Sequence, residues 1–81
     1  MAYMYILYSQ RIDKFYIGST DDSLEERLRR HNSKHKGFTG KANDWHVVYS
    51  EYYDQYSKAF EREMEIKRSK SRTYIENLVS G

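Results

Sequence analysis

Short blocks of apolar residues set off by polar stretches run along the first quarter of the chain. Met4 to Tyr8 and Phe15 to Ser19 are β-prone runs separated by the polar stretch Ser9 to Lys14, a pattern that predicts a hairpin. Successive strand residues point to opposite faces, so an even-numbered connecting loop puts odd positions of the first strand on the same face as even positions of the second. Tyr5 and Tyr16 would then share a face. Thr20 to Ser23 offers N-cap residues, with Glu25 and Glu26 spaced for a capping box and for the positive end of a helix dipole. A helix is therefore expected from about Asp22 to His31 or a little beyond. Its apolar line is thin, Leu24 and Leu28, and Arg27 and His31 flank that line at helical spacing.

Asn32 to Asp44 lacks periodicity, carries Gly37 and Gly40, and is expected to be a loop. Trp45 to Tyr53 alternates as a third strand, with Trp45, Val47 and Tyr49 expected on one face and Val48 and Tyr52 on the other. Ser57 is the expected cap of a second helix bearing Ala59, Phe60, Met64 and Ile66, and a last short helix runs through Tyr74, Ile75, Leu78 and Val79. The order β-β-α-β-α-α predicts an α+β fold, a small three-stranded antiparallel sheet flanked by helices. With 81 residues the chain holds one core, so a single domain over 1–81 is expected.

Composition narrows the classes of function. The chain has no cysteine, which excludes a disulfide frame and a cysteine-ligated zinc and suggests a reducing, cytoplasmic setting. No apolar run approaches the roughly 18 residues that span a membrane, and the N-terminus lacks the basic start of a secretory signal, so no membrane partner is expected. The net charge is only +2, but it is unevenly spread. Every charged residue from Arg27 to Lys41 is basic, a second basic cluster holds Lys67, Arg68, Lys70 and Arg72, and the acids gather at Asp21 to Glu26 and Glu51 to Glu65. Basic clusters that meet in the fold make a phosphate-binding surface; kept apart, they are solvated faces.

On a helical wheel the apolar arc of the second helix runs from Ile66 and Ala59 to Phe60 and Met64, and both Glu63 and Lys67 fall within it. Glu61, Arg62 and Glu65 point away, as solvated charges do. A carboxylate on a core-facing arc needs a cation, a set of donors or a metal. Two readings stay open here: a structural pair with Lys67 one turn on, or a metal ligand.

Four elements in order resemble the GIY-YIG nuclease superfamily. Tyr16-Ile17-Gly18 matches one half of its signature, and Tyr3-Met4-Tyr5 followed by Ile6-Leu7 aligns with the other, making Tyr5 the first tyrosine. Leu24 to His31 matches the helix carrying an arginine one turn before a histidine, and Ala59-Phe60-Glu61-Arg62-Glu63 matches the later helix with its glutamate. Glu63 to Lys67 and Lys70 to Glu76 also look like small stand-alone bacterial members. Two departures stand out. Tyr3 and Met4 replace the glycine and isoleucine of the first half, and the terminal asparagine of larger members has only Asn77 as its nearest counterpart.

The resemblance implies an endonuclease that hydrolyses phosphodiester bonds with one magnesium or manganese ion, no organic cofactor, and nucleic acid, expected to be DNA, as partner. It implies Tyr5, Tyr16, Arg27, His31 and Glu63 as catalytic residues converging on one cavity. Glu63 would hold the ion, Arg27 clamp the scissile phosphate, His31 orient a phosphate or shuttle a proton, and Tyr16, ahead of Tyr5, stand nearest the attacking water. Gly18 would let backbone approach substrate or the following helix, and Arg29, Arg30, Lys34, Lys36, Lys41 and Lys67 would contact backbone phosphates, with Phe38 offering a stacking surface. The alternative is a nucleic-acid-binding module of the same fold with weak or no cleavage; a protein-interaction domain is more distant.

Overall fold

The computed structural model describes residues 1–33 and 38–81, with the backbone alone for Phe38 and Thr39. Strand β1 (Ala2–Ser9) pairs antiparallel with β2 (Lys14–Thr20), and residues 10–13 form the even loop between them. Helix α1 (Leu24–Asn32) follows, then a single 3-10 turn at Phe38–Lys41, strand β3 (His46–Tyr53), and helices α2 (Tyr56–Ser69) and α3 (Arg72–Ser80). The sheet order is β2-β1-β3, so β1 is central and β2 and β3 are edges. This is the α+β architecture expected from the sequence, and it is arranged in three layers.

The layers arise because β1 is buried on both sides, as a central strand between two helical layers must be. Its even positions Ala2, Met4 and Ile6 join Ile17 from β2 and Ala59 and Ile66 from α2 in one half of the core, over which Tyr74, Ile75, Leu78 and Val79 of α3 close. Its odd positions Tyr5 and Leu7 join Trp45 and Ala42 in the other half, flanked by Tyr16, Val47, and Leu24 and Leu28 of α1. Asn32 pins this second half: its amide donates to the Trp45 carbonyl at 2.9 Å and its oxygen accepts from the Trp45 N–H at 2.7 Å.

Local chemistry explains most boundaries. Ser23 caps α1 by accepting from the Glu26 N–H at 3.1 Å, and Ser71 caps α3 through the Tyr74 N–H at 3.1 Å. The expected cap of α2 is corrected: Gln55 is the N-cap, without a side-chain bond, and Ser57 lies inside the first turn. The third strand is also corrected. A bulge opposite Ile6 and Leu7 sets Val47 against Leu7 but Tyr49 against Ile6, so Tyr49 leaves the face of Trp45 and Val47 and packs with Val48 and Tyr53 on the α2 side.

The buried arc of α2 is rotated from the expected one. Ala59, Glu63 and Ile66 are buried, whereas Phe60 is 44% exposed and stacks on Tyr56. Arg62, expected in solvent, is half-buried and donates to Glu51 at 3.0 Å. Glu51 also accepts from Tyr49 at 2.5 Å and Tyr53 at 2.6 Å. Burial pushes Glu51 upward, but these three donors outweigh it and hold its carboxyl below the usual range, while burial and Glu51 push Tyr53 up to about 12.

Candidate nuclease site

The hairpin register sets the first part of the site. Tyr5 stands opposite Gly18 and Leu7 opposite Tyr16, so Tyr5, Tyr16 and Gly18 lie on one sheet face. Helix α1 covers that face because Leu24 and Leu28 pack there, and the same two turns of helix carry Arg27 and His31 inward. His31 is 7% exposed, and its Nε2 is 2.9 Å from the Tyr5 hydroxyl. The Tyr16 ring centroid lies 4.9 Å from that of His31. Arg27 is half-buried against Tyr5, and its Nε is buried with no hydrogen-bond partner among the described residues.

Electrostatics divides the two tyrosines. Burial pushes the Tyr5 phenol up against the lowering pull of Arg27, so Tyr5 remains a neutral phenol near pH 7. It is suited to hold His31 and unsuited to act as base. The Arg27 guanidinium, in turn, is raised chiefly by its interaction with the Tyr5 hydroxyl and stays charged.

Gly18 has a local duty beside the one expected. A Cβ at this position would lie 2.6 Å from the Tyr5 hydroxyl and 3.1 Å from the Tyr16 ring, so the missing side chain makes room for the tyrosines. Tyr5 is 1% exposed and held by His31, and it cannot swing aside cheaply. Gly18→Ala is expected to cost about 1–3 kcal/mol by overpacking. Thermal melting should register this as a loss of about 4–8 °C per kcal/mol, and an unchanged Tm would remove the crowding argument.

Glu63 does not lie on the tyrosine face. Helix α2 packs on the opposite side, where Glu63, 7% exposed, accepts from the Ser19 hydroxyl and the Lys67 ammonium, both at 2.6 Å. The five side chains expected to converge on one cavity are arranged around edge strand β2, with Glu63 on the α2 side of the sheet and the other four on the α1 side. Three interactions link the halves. Lys67 Nζ lies 5.9 Å from the Tyr16 ring centroid, Glu63 acts electrostatically on Tyr5, and Tyr56, which accepts from Ser19 at 3.4 Å, acts electrostatically on Arg27.

The structural pairing of Glu63 with Lys67 is thus present, and it bears on the metal reading. Among the described residues no three His, Asp or Glu side chains gather as a cage. Glu63 fits a hard divalent ion as a lone carboxylate, with water and phosphate oxygens completing the shell. Lys67, 43% exposed on a flexible stem, can withdraw from the oxygen it holds.

The basic residues divide as well. Arg29 and Arg30 are exposed and pair with Glu26 at 2.5 and 3.6 Å. Lys41 is exposed at the end of the 3-10 turn. Lys34 and Lys36, and the side chain of Phe38, lie outside the described residues. No sequence motif marks Ser19 or Tyr56, although strand parity puts Ser19 opposite the face of Gly18, and Tyr56 lies two turns before Glu63 on the same helix.

A family model described as the GIY-YIG catalytic domain matches residues 1–75. No curated protein and no solved structure gives a match.

Proposed function

The chain belongs to the GIY-YIG family of nuclease domains, and from that premise we propose that it is a metal-dependent endonuclease hydrolysing phosphodiester bonds in DNA. The observation that carries the proposal is the buried Nε of Arg27 beside Tyr5 and His31, which has no hydrogen-bond partner among the described residues. A buried donor without an acceptor costs about 1–3 kcal/mol, a cost that a purely structural arginine has no reason to carry, whereas a phosphate draws on the full charge and planar fork of the guanidinium.

In this reading Arg27 grips the scissile phosphate and holds the negative charge that develops on it. Tyr5, kept neutral by burial, fixes the His31 ring against that phosphate. Tyr16 orients the attacking water on the open side of the same face. Glu63 is the side chain that would hold a magnesium or manganese ion, which when bound helps deprotonate water and stabilise the leaving oxygen. Ser19 anchors the glutamate from β2, and Lys67 neutralises it before the ion arrives. Arg29, Arg30, Lys41 and Lys67, with Lys34 and Lys36, contribute phosphate contacts that carry little sequence information.

The occupation of both Glu63 oxygens by Ser19 and Lys67 favours a second reading, a nucleic-acid-binding module that cleaves weakly or not at all. One experiment separates the two. Purified protein is incubated with single-stranded, duplex and branched DNA, with magnesium, with manganese, and with chelator. Metal-dependent nicking is expected. Salt-sensitive binding without a cut under any metal would leave the binding module.

A further inference from the structure

We propose that the groove between the outer edge of β2 and the α2–α3 junction is a subsite for one unpaired nucleotide of the substrate strand, adjoining the scissile phosphate. The inference rests on the nuclease reading and adds a substrate class to it: nucleic acid with at least one unpaired base beside the cut.

The groove measures about 420 Å3 and has an apolar floor of Phe15, Ile17 and Ile75 beneath a rim that includes Lys14, Lys70 and Arg72. It is continuous with the candidate site, because Tyr16 and Lys67 line it too. Its volume falls at the low end of the roughly 300–1,000 Å3 typical of small-ligand sites, the scale of a single nucleotide. A protein partner needs a patch of about 800 Å2, far broader than this cleft.

The rim is charged in a particular way. Arg72 is committed to Asp13 at 2.7 Å and Glu76 at 3.2 Å, and its guanidinium covers the Phe15 ring at 5.1 Å. Lys14 and Lys70 make no ion pair among the described residues and are exposed. Lys70 moreover holds φ at 50°, in the left-handed C-cap of α2 where glycine is the least strained residue. A lysine there keeps a cation on the rim at a conformational cost of about 1–2 kcal/mol.

An apolar floor under a basic rim matches an unpaired nucleotide, whose base lies against Ile17, Ile75 and the Arg72 guanidinium that covers Phe15, while its phosphates follow the rim. A paired duplex keeps its bases stacked inside and offers only phosphates, so the floor would gain nothing from it.

The test uses Glu63→Gln protein without metal, which is expected to bind but not cut, and fluorescein-labelled DNA in three forms: single strand, flap and blunt duplex. Lys70→Glu, added to that background, is expected to weaken single-strand and flap binding about five-fold or more, and blunt-duplex binding less than two-fold. In parallel, 5-iodouracil at the unpaired position of the flap is expected to photocrosslink within Lys14 to Ile17 or Lys70 to Ile75. Equal loss on all three DNAs, or crosslinks only elsewhere, would overturn the subsite. Wild-type cleavage with metal is scored separately. Nicking with crosslinks outside the groove leaves the nuclease and removes the subsite; groove crosslinks without nicking leave the subsite on a binding module; no binding to any DNA removes both.

Discussion

Glu63→Gln is expected to lower metal-dependent cleavage by at least the 100-fold to 1,000-fold that loss of one well-placed transition-state contact costs, while the protein stays folded and still binds nucleic acid. Glutamine keeps the carbonyl oxygen that accepts from Ser19. It releases Lys67, which is 43% exposed and can turn its ammonium to water. The loss of stability should therefore be near the 1.5–3 kcal/mol typical of a hydrogen bond to a charged group. What glutamine cannot supply is the negative charge a divalent ion requires. Thermal melts and nicking assays are run on the same preparation. A folded variant that cuts near the wild-type rate would leave Glu63 as the structural partner of Lys67 alone and sink the metal role.

Arg27→Ala is the second large effect, and it runs through a different physical route. The residue is half-buried, and its Nε is buried without a partner among the described residues. Removing it therefore relieves an unsatisfied donor as well as losing packing, so a small change in Tm is expected. Cleavage should fall about 100-fold to 1,000-fold, since the guanidinium holds charge that appears only in the transition state. Arg27→Lys should recover only part of the rate, because a point charge lacks the planar fork that matches two phosphate oxygens. Cleavage within a few-fold of wild type for Arg27→Ala would make the arginine a packing residue of the tyrosine face.

The fold was legible in the sequence where one periodicity ruled a segment. The polar stretch between the first two β-prone runs closes as an even loop, and that parity alone put Tyr5 and Tyr16 on one face. The thin seam of Leu24 and Leu28 brought Arg27 and His31 to the same place. Where the pattern is compatible with two arrangements, the sequence leaves the choice open. The β1 residues are apolar on both faces, so nothing in the alternation says which face α2 covers, and Glu63 lies on the α2 side of the sheet. The bulge that turns Tyr49 over leaves no composition signal in Val47-Val48-Tyr49. Arg62 looked solvated because its partners, Glu51 and Tyr74, come from β3 and α3. Such partners are invisible to a single-helix wheel.

Placing the candidate machinery around an edge strand, instead of in a pocket or tunnel, bears on the topology of what can be cut. Among the described residues no strand pairs with the outer edge of β2, so a polymer can lie against Tyr16 and Lys67 from the flank without first offering an end. A covalently closed circle should then be as good a substrate as the same sequence made linear, and products from a linear strand should appear as internal fragments from the first turnover, with no ladder of single nucleotides released from a terminus.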